Sequence, residues 1–189
     1  MKRYNPRTAS RRHMVTIPYR QLLTGSTPHK ALVRGEFRSV GRNNTGRITT
    51  RHKGSGNKRL YREIDFTYDK KNIEAKIVSI EYDPNRTAFI SLAQYADGAK
   101  RYIIAPRSVK AGDTFIVAEK AEVKPANRMM LKNIPVGTFI YNIELKPGAG
   151  ARLVRSAGNY AEVVAHDGGY ALLKLPSTEV RRVIDTAWA

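Results

Sequence analysis

The sequence predicts an all-β protein in which two small β-barrels follow a basic, irregular N-terminal segment. Three observations carry this. From Leu60 onward, short runs rich in β-branched and aromatic residues recur with turn residues at every break, and no long helical pattern separates them. The charge is lopsided: residues 1–62 hold 16 Lys or Arg against the single acid Glu36, a net of +15, whereas residues 63–189 hold 18 against 15, a net of +3. The same basic third carries Asn5-Pro6, Gly25, Pro28, Gly35, Gly41, Asn43-Asn44, Gly46, Gly54 and Gly56, so it is expected to be mostly irregular and mobile without a partner.

The first barrel is read from LYREIDF (60–66), EAKIVSIEY (74–82), TAFISLAQY (87–95), KRYIIA (100–105) and DTFIVA (113–118). Asp69 to Asn72, Asp83-Pro84-Asn85, Asp97-Gly98 and Ala111-Gly112-Asp113 mark the turns. Five strands at this spacing suit a closed five-stranded barrel of the OB-fold type, a frequent binder of nucleic acid, although a plain β-meander would give the same string. The second barrel is read from TFIYNIEL (138–145), ARLVRS (151–156), YAEVVAHD (160–167), YALLKL (170–175) and EVRRVI (179–184), with Asp167-Gly168-Gly169 as a hairpin signal. A hinge near Ala121 to Asn127 divides the chain into a basic extension (1–59), a first barrel (60–121) and a second (122–189).

Composition then narrows the function. With 189 residues the chain buries about 70% of its unfolded surface on folding. A net charge of +18 and a pI near 10.3 call for a polyanionic partner. No stretch approaches the ~20 apolar residues of a membrane span and no basic amphipathic helix is present, so a membrane is not the expected partner. The absence of cysteine removes disulfides, zinc-thiolate sites and thiol nucleophiles together. MKRYNPRTASRRHM has the Arg-rich, acid-poor composition of an organellar transit peptide, but Pro6 and the lack of an apolar stripe argue against one; a secretory signal is excluded by the missing apolar run.

Catalytic chemistry is thinly supplied. GSGN (54–57) before Lys58 lacks the glycine spacing of a phosphate loop and reads as a flexible loop. His13, His29, His52 and His166 are scattered, so no metal site is expected. Asp65, Glu81 and Asp83 form the best local group of acids, but Asp83 opens a turn and Glu81 is assigned to a strand's solvent face. With no nucleophile, base and orienting group in sight, an enzyme is not expected, nor a cofactor or small-molecule substrate.

Binding chemistry is plentiful. Arg42, Arg47, Arg51, Lys53, Lys58, Arg59 and Arg62 are interleaved with Asn43, Asn44, Thr45, Thr49, Thr50, Ser55 and Asn57, and glycines 41, 46, 54 and 56 allow close backbone approach. This mixture fits a segment ordered against structured RNA; a solvated basic tail is the bland alternative, and would favour Lys and Glu. The aromatics Tyr61, Phe66, Tyr82, Phe89, Tyr95 and Tyr102 fall at strand positions and are assigned to core or barrel surface rather than to base stacking.

GRNNTGRITTRHKGSGNKRLYREIDF, EYDPNRTAFISL and KNIPVGTFIYNIELKPGAGARLVRSAG resemble the bacterial form of the second protein of the large ribosomal subunit, and the resemblance runs from about Arg11 to Ala189. It implies an OB-fold followed by an SH3-like barrel, a basic N-terminal extension, binding to large-subunit rRNA, and a place among other ribosomal proteins near the small-subunit interface and the peptidyl transferase region. The implied RNA contacts are Arg42, Asn43, Asn44, Arg47, Arg51, His52, Lys53, Lys58 and Arg59, flanked by Arg38 and Arg62, with Arg86 in the DPNR turn and, from the second barrel, Lys132, Lys146, Arg152 and Arg155. Family members continue into a Gly-, Arg- and His-rich tail, whereas this sequence stops at DTAWA, read as partway through the last β region, which puts a peptidyl transferase role in doubt. The expected location is the cytoplasmic ribosome, with an organellar ribosome as the alternative. A non-ribosomal single-strand binder using the OB face and a contributor to peptidyl transfer are the competing functions.

Overall fold

The computed structural model describes residues 1–189 except Phe37 and Ser55. The N-terminal third holds only short elements: β1 (Lys2–Arg3), α1 (Ala9–Arg12), β2 (Val15–Thr16), α2 (Tyr19–Leu22), β3 (Val33–Gly35) and β4 (Leu60–Arg62). β1 pairs with β2, and β3 with β4, both antiparallel. The long basic segment between β3 and β4 is therefore a loop closed at its base by a two-stranded ladder.

The first barrel is built on β5 (Ala75–Glu81), β6 (Ile90–Tyr95), β7 (Lys100–Ile104) and β8 (Thr114–Phe115), an antiparallel sheet of order β7-β6-β5-β8. The expected strand at 60–66 does not join this ladder. Only Leu60–Arg62 is strand, spent on β3, and a parallel bridge from Ile64 to Tyr102 ties its continuation to β7. Ile77, Ala93, Tyr95, Ile103, Phe115 and Val117 fill one side of the sheet. Ile90, Leu92 and Tyr102 form a second apolar group covered by Leu32 and Ile64, which is why β6 is buried on both faces and does not alternate. Leu32 belongs to the segment assigned to coil. That segment also binds the barrel edge: the Ile80 N–H donates to Thr24 Oγ1 at 2.8 Å, and the Thr24 and Gly25 N–H groups donate to the Ile80 carbonyl at 3.0 and 3.1 Å. Residues 19–34 are thus a strap on the barrel, not a mobile tail.

A bulge in β5 corrects the placement of Glu81. The register against β6 shifts between Ile77 and Ser79, so that Ile77 packs into one apolar group while Glu81 reaches Tyr102 of the other. Glu81 is buried, accepting hydrogen bonds from the Tyr102 hydroxyl at 2.7 Å and Ser79 Oγ at 2.8 Å, while its neighbour Tyr82 is turned outward. Burial and the bond to Glu81 push the Tyr102 phenol up to about 12, which keeps it a donor.

The second barrel contains β9 (Phe139–Ile140), β10 (Ile143–Glu144), β11 (Ala151–Leu153), β12 (Ala161–Asp167), β13 (Tyr170–Lys174) and β14 (Val180–Ile184). One sheet has the order β14-β13-β12-β9 and β10 pairs with β11, around a core of Leu131, Ile143, Ala161, Val163, Ala171 and Leu173. Gly168 and Gly169, at φ 52° and 80°, make the β12–β13 hairpin turn the sequence announced. The run 138–145 is two strands, because Asn142 takes φ 55° and its amide turns aside to donate to the Tyr68 hydroxyl at 3.1 Å. The architecture is the all-β OB-fold followed by an SH3-like barrel.

A buried junction joins the barrels. Arg128 pairs with Glu144 at 3.3 Å, donates to the Asn142 carbonyl at 2.7 Å, and lies 4.6 Å from the centroid of the Tyr68 ring. Trp188 and Ala126 pack into the core of the first barrel. DTAWA is not part of the last strand: β14 ends at Ile184, Met130 bridges to Trp188, and Met129 and Ala189 exchange both backbone hydrogen bonds at 3.0 Å.

Candidate nucleic-acid interface

The basic segment has a fold of its own between Gly41 and Thr50. Asn43 Oδ1 accepts from the Thr45 N–H at 3.0 Å, the Thr45 hydroxyl at 2.8 Å and the Arg47 N–H at 2.9 Å. Arg42 bridges to Ile48, and the Gly41 carbonyl accepts from the Thr49 and Thr50 N–H groups. Gly41 is required here, since at φ 76° a Cβ would lie 2.3 Å from the Thr50 carbonyl oxygen. The short polar residues therefore shape the loop, and the long basic ones are left exposed on it. Arg42, Arg51, His52 and Lys53 line an open cleft with Ile48 and Thr50; Asn44 and Arg47 are exposed at the tip. Ser55 lies outside the described residues.

A second cleft forms where this segment returns to the barrel. Asn57, Lys58, Arg59, Leu60 and Arg62 face Tyr82 and Pro84 of the DPNR turn across it. Two hydrogen bonds hold its walls together: Arg59 donates to the Pro84 carbonyl and Asn85 Nδ2 to the Leu60 carbonyl, each at 2.8 Å. Among the described residues, Arg42, Arg47, Arg51, Lys53, Lys58, Arg59 and Arg62 make no ion pair, because the acids lie elsewhere.

Arg86, Arg152 and Arg155 meet at the mouth of the barrel junction. Asp83, fully buried, holds Arg86 at 2.6 Å and caps the Asn85 N–H at 2.9 Å, so the turn itself aims the arginine. The guanidinium carbons of Arg86 and Arg155 lie 5.8 and 3.9 Å from the Phe66 ring centroid. Burial lowers the Arg155 pKa, and the charges of Arg86 and Arg152 lower it further. The loops are fixed to one another by Ala157 N–H to Thr87 Oγ1 at 3.1 Å and Ala151 N–H to the Phe66 carbonyl at 2.8 Å. Half-buried Arg86 and Arg155 and exposed Arg152 thus bring three positive charges together, with Asp83 paired to Arg86.

The remaining sequence candidates stand apart. Lys132 is exposed on a single 3₁₀ turn, Leu131–Asn133, and Lys146 is exposed between β10 and β11. Arg38 lies between β3 and the ordered loop. Sequence reasoning missed Phe66 as the platform for two arginines, Arg128 as a buried cation, and Tyr82 as an exposed ring in a basic cleft.

Residues 29–117 match the family model described as Ribosomal Proteins L2, RNA binding N-terminal domain, and residues 124–189 match Ribosomal Proteins L2, C-terminal domain. Over all 189 residues the chain is 51% identical to the large ribosomal subunit protein uL2 of Hyphomonas neptunium, covering 68% of that relative's length.

Proposed function

We propose a function from the premise that this chain belongs to the ribosomal protein L2 family: it is a structural component of the large ribosomal subunit that binds large-subunit rRNA. The observation that carries the reading is the display of seven basic side chains on an ordered loop and cleft without intramolecular ion pairs, continued by the Arg86, Arg152 and Arg155 group. Cations left unpaired in this way neutralise phosphates and release counterions, which supplies affinity; a rigid scaffold holding them in fixed register selects a folded RNA over a random one. Arg38, Lys132 and Lys146 extend the contact surface. Held by both barrels, the rRNA segments they touch are fixed relative to one another, and through that the protein supports subunit assembly, association with the small subunit and the peptidyl transferase region of cytoplasmic ribosomes. Its role is architectural, not catalytic.

Gradient sedimentation tests this. The chain, expressed with an affinity tag in bacterial cells, is expected in large-subunit particles and, when mixed with transcribed large-subunit rRNA, to co-sediment with it. Exclusion from both fractions would refute the assignment.

A further inference from the structure

The cleft between residues 57–62 and the Tyr82-Asp83-Pro84 turn has a chemistry that phosphate neutralisation does not account for. Its volume is about 470 Å³, in the range of small-ligand sites. Half its lining is apolar in character: Leu60 and Tyr82 are 46% and 48% exposed, and Pro84 lies beside them. The ring of Tyr82 is braced, meeting Tyr19 of the strap edge to face at 5.5 Å and 81°, and Tyr19 is in turn held by Phe89 at 5.9 Å. An exposed ring fixed in this way is a stacking surface whose orientation costs nothing to set on binding. Around it stand Lys58, Arg59 and Arg62. Arg62 spends one amino group on the Leu60 carbonyl at 2.8 Å, while its Nε is buried with no hydrogen-bond partner. A buried donor left unpaired at the wall of an open cleft calls for a partner, and an acceptor entering the cleft can supply one.

We propose that this cleft receives one unstacked nucleobase of the rRNA, with the base on Tyr82 and its acceptor edge or flanking phosphate on Arg62 and Lys58. A duplex segment offers no free base face, and a bare phosphate has no use for Tyr82, Leu60 and Pro84; a nucleotide turned out of its stack uses all of them. The strap sets the platform through Tyr19, so Tyr19 contributes to recognition by bracing the ring of Tyr82. This rests on the reading of the chain as an rRNA binder.

Chemical probing of base reactivity on transcribed large-subunit rRNA, nucleotide by nucleotide, separates the two levels. The full unsubstituted chain, Tyr82→Phe and Tyr82→Leu are compared. We expect one nucleotide to lose its protection with Tyr82→Leu while the rest of the footprint persists, Tyr82→Phe to behave as the unsubstituted chain, and affinity to fall about 5- to 150-fold for Tyr82→Leu, the effect of losing one base–aromatic stack. An unchanged footprint and affinity with Tyr82→Leu would overturn the cleft's role and leave rRNA binding intact. No footprint from the unsubstituted chain would overturn both. Should Tyr82→Leu fail to fold, ultraviolet cross-linking of the unsubstituted complex decides the matter: a nucleotide adduct at Tyr82 supports the proposal, and adducts confined to other residues refute it.

Discussion

The exposed basic side chains set the salt dependence of RNA binding. Arg42, Arg51 and Lys53 line one cleft, Lys58, Arg59 and half-buried Arg62 the other, and Arg47 is exposed at the loop tip; these seven make no ion pair among the described residues, so their charge is available to phosphates. If all seven engage, the logarithm of the binding constant falls with the logarithm of salt at a slope of roughly −5 to −6, taking −0.7 to −0.9 per contact. Raising salt from ~50 to ~200 mM then costs about 10³- to 6 × 10³-fold in affinity. Replacing Arg42, Arg47, Arg51 and Lys53 by Gln removes four of these contacts, and the slope should become shallower by about 3 to 4. The assay is filter binding or fluorescence anisotropy with a large-subunit rRNA fragment, at four or more salt concentrations. A shallow slope in the unsubstituted chain, or one that the fourfold replacement does not change, would refute phosphate neutralisation by the loop.

The junction and the strap carry three further expectations. Arg128→Met strands the Glu144 carboxylate, which keeps only the Gly148 N–H at 3.2 Å. Breaking a buried pair from one side costs about 3–5 kcal/mol; at roughly 2–4 °C per kcal/mol for a chain of this size, the midpoint should fall by ~6–20 °C on thermal melting, and a drop under ~2 °C would mean that the pair is solvated. Brief proteolysis in residues 121–125 should give two fragments that co-elute on gel filtration, because Arg128 and Trp188 still hold the barrels together; clean separation would show the junction to be weak. Thr24→Val removes the acceptor of the Ile80 N–H, at a cost of about 1–3 kcal/mol, so exchange of that amide should quicken about 5- to 150-fold; an unchanged rate would mean that the strap is not seated in solution.

The fold was legible wherever side-chain alternation and turn chemistry agreed. β12 and β13 with their Asp-Gly-Gly turn are the clearest case, since both signals are local and the strands face solvent on one side only. Legibility failed where tertiary contact overrode local pattern. Residues 19–34 are broken by Gly25 and Pro28 and read as irregular, yet Leu32 and Thr24 find partners on a sheet that is complete only once they are in place. Glu81, assigned to a solvent face, is instead buried against the Tyr102 hydroxyl, a long-range contact that local pattern does not show. Of the candidate interface, the exposed cations and their segment were legible in the sequence. Their convergence could not be read, because Arg86 and Arg155 are 69 positions apart and meet over the ring of Phe66 only when both barrels are folded and docked.

That convergence gives the DPNR turn its central place. Asp83 is buried and spends its carboxylate on Arg86 and on the Asn85 N–H, which fixes the turn. Asn85 and Pro84 then reach residues 59–60 of the basic segment, while Arg86 reaches the second barrel's side of the junction. One four-residue turn therefore sets the distance between the base-sized cleft and the arginine group, and both are held before RNA arrives. Binding of a disordered basic tail would have to supply about 1–2 kcal/mol per residue in lost backbone freedom. Here much of that ordering is already supplied by Asn43, Gly41 and the strap. The affinity available from phosphate contacts is accordingly free to select among RNA shapes, and an Asp83→Asn substitution, isosteric but stripped of charge, should weaken that selection more than it weakens nonspecific RNA binding. Competition of the rRNA fragment against bulk RNA measures the ratio, and an equal loss of both affinities would show that the turn serves stability alone.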